Sequence, residues 1–174
     1  MLLKRVDLRS FEEVRNGVPL RFKIQTITPD LIEDVLQHMF TQFLTRKPII
    51  ITTVYEGKVF NKLLKGVKNL TEIGNVFKTY DLERYLTSHG LSVHSDYHGY
   101  NIGLRLLETR ELLCQELGLK ATATVFSNKV AQYLAAKDGY KTLAEQSFQT
   151  MEIDGQIAYP GVDGSLKLMG IKYV

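Results

Sequence analysis

The chain has 174 residues, 44% of them apolar and 24% charged, which fits one globular domain with its own core and excludes a disordered chain, a collagen repeat or a disulfide mini-scaffold. A single cysteine, Cys114, excludes an intrachain disulfide and any zinc site that needs two thiolates. The net charge of +3, from 22 Lys+Arg against 19 Asp+Glu, suits an anionic ligand but lacks the dense basic stripe that nucleic-acid binding requires.

Taken in chain order, residues 1–8 carry Lys4, Arg5 and Asp7 and no apolar core of a leader, so no signal peptide is expected. No run of 18 apolar residues occurs, so no membrane span is expected, and a cytoplasmic location follows as the expectation. Asn16-Gly17 marks a turn, and residues 20–27 (LRFKIQTI) alternate as a half-buried strand. Thr28-Pro29-Asp30 reads as a helix start with Thr28 as N-cap, and Leu31, Val35, Met39 and Phe43 carry that helix to about Thr45. Residues 49–55 are β-branched, Glu56-Gly57 turns, and residues 58–64 read as the returning arm of a hairpin. Residues 66–74 stay ambiguous, and 76–85 read as a helix.

Residues 86–93 (LTSHGLSV) read as a strand interrupted by Gly90, where glycine signals a bulge or a close backbone approach. A short polar loop over 95–101 feeds a helix over 102–117 closed by Gly118. Residues 120–126 alternate as a strand, 128–137 form a helix ended by Gly139, and 140–150 and 165–174 are the last strands.

The chemistry lies in residues 91–140. A strand ends at Val93, and a loop with Gly99 and Gly103 opens a long helix. Unpaired amides and the positive end of the helix dipole converge there, a suitable seat for phosphate. A tight strand-to-helix turn needs the same glycines for backbone angles alone.

Two motifs in order decide between these readings. His98-Gly99-Tyr100-Asn101-Ile102-Gly103 matches a pyrophosphate loop of the form Gln/Arg-x-x-Gly-x-Gly/Ala. Asn128, Ala131, Leu134, Lys137, Gly139 and Tyr140 fall in register with Asn-x-x-Ala-x-x-Leu-Tyr-x-Lys-x-Gly-Phe. The segment resembles the GNAT superfamily of acetyl-CoA-dependent N-acetyltransferases. The wording of residues 85–94, 101–107, 124–127, 132–140 and 166–169 is similar to the insect arylalkylamine N-acetyltransferase group. The resemblance runs from about Phe77 to Val174 and is thin before that.

This resemblance implies an α/β (α+β) fold in one domain over residues 1–174: a mixed, mostly antiparallel sheet flanked by helices and splayed between two parallel strands. Acetyl-CoA would lie in the opening. Leu91, Ser92 and Val93 would pair with its pantetheine arm, and an N–H of the same strand would polarise the thioester carbonyl. His98, Gly99, Tyr100, Asn101, Ile102 and Gly103 would hold the pyrophosphate, with Asn128 and Lys137 as further cofactor contacts. The partner would be a small amine that attacks the thioester directly after losing a proton, in a monomer or homodimer that needs no metal.

Some positions depart from the family. His98 replaces Gln or Arg, and Asn101 replaces Gly, which its tolerance of left-handed backbone allows. The family's catalytic Glu-Pro maps to Lys47-Pro48, and a lysine takes over a base's role only with a far lower pKa. Of two companion serines, Ser127 is kept and the other is Ala131, while the family's acid tyrosine maps to Ala135, two residues from Tyr133. The resemblance thus gives Ser127 as the catalytic residue, and Glu33, near the start of the helix expected over 28–45, reads first as a dipole partner and only remotely as a base. A rival reading is an acyl-CoA-binding module with weak or no catalysis, and a more remote one is a scaffold whose loop binds nothing.

Overall fold

The computed structural model describes residues 7–27, 29–31, 34, 58–88 and 90–173. Lys47, Glu33 and most of the helix expected over 28–45 lie outside the described residues, as does the strand expected over 49–55.

Strands β1 (Asp7–Arg15) and β2 (Val18–Gln25) form an antiparallel hairpin. Asn16 and Gly17 both take positive φ, +52° and +77°, as a two-residue hairpin turn of matching twist requires. The sequence pattern shows β2 but not β1. Arg9, Phe11 and Glu13 share one face of β1 by its two-residue period, and that face is mostly charged, so apolar alternation does not report it.

Helix α1 (Lys58–Gly74) replaces the hairpin arm expected over 58–64. Leu63, Val67 and Leu70 fall at four- and three-residue spacing, and all three join the core. Lys65 and Lys68 stay exposed on the other side, which is the helical period. Its last residue, Gly74, sits against the sheet: an added Cβ would lie 2.5 Å from Leu168 Cδ2. Helix α2 (Val76–Tyr80) is shorter than expected. Asn75 caps its start by accepting from the Lys78 amide, and Asp81 ends it in the left-handed region.

Helix α3 (Ile102–Glu116) and strand β3 (Ala121–Phe126) follow. Next come helix α4 (Lys129–Lys137) and strand β4 (Lys141–Ser147). A two-residue pair, β5 (Glu152–Ile153) with β6 (Gln156–Ile157), precedes β7 (Ser165–Lys172). The central sheet runs β3-β7-β4, with both neighbours antiparallel to β7.

Alternation in this sheet separates two cores. Ala123, Leu166 and Leu168 face α1 with Leu70, Phe148 and Met151. Phe126, Met169 and Ile171 face α3 and α4 with Leu107 and Ala135. Among the described residues, no helix is long and apolar enough to cross a membrane, and no three metal-ligating side chains cluster.

Candidate active site

The strand expected over 86–93 is reduced to one bridge. Leu86 pairs in parallel with Thr122: its N–H donates to the Ala121 carbonyl at 2.9 Å and its carbonyl accepts from the Ala123 N–H at 3.0 Å. At Ser88 the pattern changes. Its N–H donates to the side-chain oxygen of Thr124 at 2.9 Å instead of to a carbonyl of β3. Beyond it the segment leaves β3, and the amides of Leu91, Ser92 and Val93 have no backbone partner among the described residues.

Two cavities occupy the divergence. An open groove of about 570 Å³ runs between residues 91–93, the loop and the first turn of α4. A narrow slot of about 90 Å³ lies deeper, lined by Ser88, Leu91, Arg110, Thr124 and Ser127 among others. The groove falls in the range of small-ligand sites.

The loop is built by short-range bonds. A 3₁₀ turn spans Ser95–Tyr97, with the Tyr97 and His98 amides donating back to the His94 and Ser95 carbonyls. The His98 imidazole Nε2 donates to the Val93 carbonyl at 3.0 Å. Gly99 and Asn101 then take positive φ, +88° and +55°, alternating around Tyr100. Such alternation turns successive N–H groups inward to form an anion-binding concavity.

Asn101 precedes α3 but makes no side-chain cap. Its amide nitrogen reaches Glu13 instead, at 3.5 Å. The amides of Gly99, Asn101, Ile102, Gly103 and Leu104 have no backbone partner among the described residues, and the α3 dipole adds to their field. Gly103 also lets α4 come close, since a Cβ there would lie 3.1 Å from Leu134 Cδ1.

The hairpin braces this loop. Phe22 packs against Tyr97 and Tyr100, with centroids 6.1 and 5.8 Å apart. Glu13 accepts from Arg105 at 3.0 Å, and Glu108 accepts from Arg105 at 3.1 Å and from Arg9 at 2.6 Å. Burial alone would raise the Glu108 carboxyl, but hydrogen bonds from Arg105 and Arg9 outweigh it and hold the carboxyl below its usual range. The Arg105 guanidinium is held above its usual range by the bonds to Glu108 and Glu13.

No family model and no curated protein sequence matches the chain. Solved structures do. The protein described as insect arylalkylamine N-acetyltransferase 7 of the yellow fever mosquito superposes with a TM-score of 0.85 at 19% identity, over 98% of this chain and 96% of that one. A mosquito arylalkylamine N-acetyltransferase-like 5b matches with a TM-score of 0.61 at 25% identity, over 69% of this chain and 58% of that one. A Drosophila melanogaster polyamine N-acetyltransferase that forms N-acetylagmatine matches with a TM-score of 0.60 at 20% identity, over 68% and 58%. The chain has the GNAT fold of these N-acetyltransferases.

Within this GNAT fold, most of the residues expected from sequence come together. Leu91, Ser92, Val93, His98, Gly99, Asn101, Ile102, Gly103 and Asn128 all line the groove. Tyr100 is half-buried beneath Phe22. Lys137 stands apart: it is exposed in the last turn of α4, roughly 12 Å along the axis from Lys129 at 1.5 Å per residue. Asn128 spends its side-chain oxygen capping α4, accepting from the Ala131 amide at 2.8 Å, so a cofactor contact falls to its amide nitrogen. Ser127 borders the slot.

Ala135 is fully buried and Tyr133 is 66% exposed, so α4 brings no phenol to the slot. Among the described residues lining it there is no carboxylate and no imidazole. Three participants were missed from sequence: Glu13, Thr124 and Arg110. A threonine in an alternating strand and an arginine in a leucine-rich helix carry no motif.

Proposed function

We propose that the protein transfers an acetyl group from acetyl-CoA to the primary amine of a small arylalkylamine or related amine, with residues 1–174 as one catalytic domain. The observation that carries this is the groove, which is lined both by residues 91–93 and by residues 99 and 101–103, whose amides have no backbone partner among the described residues. The residues present fit acetyl-CoA. A diphosphate matches the inward amides and the helix dipole, and an extended pantetheine arm matches segment 91–93, whose amides have no backbone partner among the described residues. The bound cofactor supplies an activated thioester carbonyl.

The chain's own groups do the rest. An amide of residues 91–93 donates to the carbonyl oxygen, where charge develops during attack. Groove and slot hold donor and amine together, which converts a bimolecular encounter into an oriented one. The Ser127 hydroxyl stands at the slot to pass the amine's proton toward water. The use of acetyl-CoA goes with a cytoplasmic location.

A second reading is an acyl-CoA-binding protein with weak catalysis. It is favoured by the lack of a carboxylate or imidazole among the described slot residues. One pair of measurements separates these ideas. Millimolar CoA raises the melting temperature in both readings; no shift overturns both. Release of free CoA thiol on adding tryptamine, dopamine, agmatine or spermidine to the acetyl-CoA-loaded protein supports transfer, and a thermal shift without thiol release supports the binder.

A further inference from the structure

Arg110 lies outside both motifs, yet it is the most unusual charge among the described residues. It is 8% exposed, in the middle of α3, facing β3. Its guanidinium donates to three hydroxyls: to Ser88 Oγ, to Thr124 Oγ1 at 3.3 Å and to Thr122 Oγ1 at 3.5 Å. Among the described residues no hydrogen bond or ion pair links it to a carboxylate. Burying a charge on neutral partners is costly, and an apolar side chain of similar volume would serve packing better.

The position of those hydroxyls explains the arrangement. Thr122 and Thr124 share the α3-facing side of β3. Thr122 Oγ1 donates to the Leu86 carbonyl at 2.9 Å, beside the last true bridge. One pair further on, Thr124 Oγ1 accepts the Ser88 N–H and returns a bond to the Ser88 carbonyl at 3.3 Å. A hydroxyl thus sits where a backbone ladder would run, and the guanidinium grips both sides of it. The divergence that forms the slot starts at this point.

We propose that Arg110, with the hydroxyls of Ser88, Thr122 and Thr124, is a wedge that holds the segment from Ser88 to Val93, as described at residues 88 and 90–93, away from β3 and so sets the width of the opening for the pantetheine arm. Arg110 is a positioning residue: it acts through Thr124 and Ser88. The proposal rests on reading the groove as a coenzyme A site. It makes the wedge matter for pantetheine and not for the diphosphate, which is held by the loop at 99–104.

The test compares two probes by calorimetry on the full chain: CoA, and ADP, which carries a diphosphate without pantetheine. Wild type binds CoA more tightly than ADP. Arg110→Met and Thr124→Val weaken CoA binding tenfold or more and leave ADP within twofold. Arg110→Lys, which keeps one charged donor, recovers part of the loss. Ser88→Ala removes a single strut and gives a smaller loss of the same kind; with Arg110→Lys it carries the test should the other variants not fold. Folded variants that bind CoA as wild type does, or that lose CoA and ADP equally, overturn the wedge. Wild type that binds neither probe overturns the coenzyme reading itself, and the wedge with it.

Discussion

His98 Nε2 donates to the Val93 carbonyl across the mouth of the loop at 3.0 Å. This bond ties the end of segment 91–93 to the start of the glycine-bearing turn, so one side chain links the two halves of the groove. The family resemblance singles out His98 as a replacement for Gln or Arg and suggests a phosphate contact; the structure places it in the groove lining and adds this bracing bond. Removing it in His98→Ala costs one hydrogen bond, and CoA binding weakens about 3- to 10-fold. His98→Gln keeps an N–H donor and retains more of the affinity. Calorimetry with CoA measures both, and an alanine variant that binds like wild type refutes the brace.

Glu13 places a carboxylate near the first turn of α3, where the dipole and the open amides favour a negative ligand. It is 18% exposed and holds Arg105, 30% exposed, away from the groove. Glu13→Gln removes the competing charge and releases Arg105. CoA then binds about 2- to 5-fold more tightly at low salt, and the gain shrinks as salt screens it. The lost ion pair costs stability of about 1 kcal/mol at most. Affinity measured at two ionic strengths tests this; weaker binding in the variant contradicts it.

Legibility in the sequence tracked the physics of each signal. The loop, α3, β3 and α4 were readable because glycine positions and apolar periods coincide with two ordered motifs. Helix α1 was misread because β-branched residues precede it and Glu56-Gly57 suggests a turn, although Leu63, Val67 and Leu70 keep helical spacing. The splay was legible only as a family property. Its local cause, a Thr124 hydroxyl in place of a backbone partner, depends on residues 36 positions apart in the chain. Lys137 matched a motif yet lies away from the groove, because a register match carries no information on which end of a helix meets the ligand.

Gly74 tests how tightly α1 seats on the sheet. An added Cβ would lie 2.5 Å from Leu168 Cδ2 and 3.2 Å from the Ala144 Cβ. Leu168 is 2% exposed and has little room to move. Overpacking outweighs the gain in helix propensity, so Gly74→Ala loses a net of about 1–2 kcal/mol and melts roughly 3–6 °C lower. Thermal unfolding followed by circular dichroism measures it. A variant as stable as wild type shows that α1 shifts freely on the sheet.

Asp138 ends α4 with its carboxyl raised to about 6. Burial is the main cause, followed by the charges of Glu108 and Glu111, while Arg110 and Arg9 pull the other way. An aspartate in an unfolded chain titrates near 4. The folded state therefore prefers the protonated form. Its favourable contribution is fully present below about pH 4 and is lost as pH rises through about 6. Asp138→Asn mimics the protonated group and keeps the backbone bond from residue 138 to the Leu134 carbonyl. At pH 7.5 the variant is more stable than wild type by roughly 1–3 kcal/mol, and at pH 4 the two melt together. Melting curves at pH 4, 5, 6 and 7.5 trace this window. A gain of the same size at every pH would assign the effect to packing and not to charge.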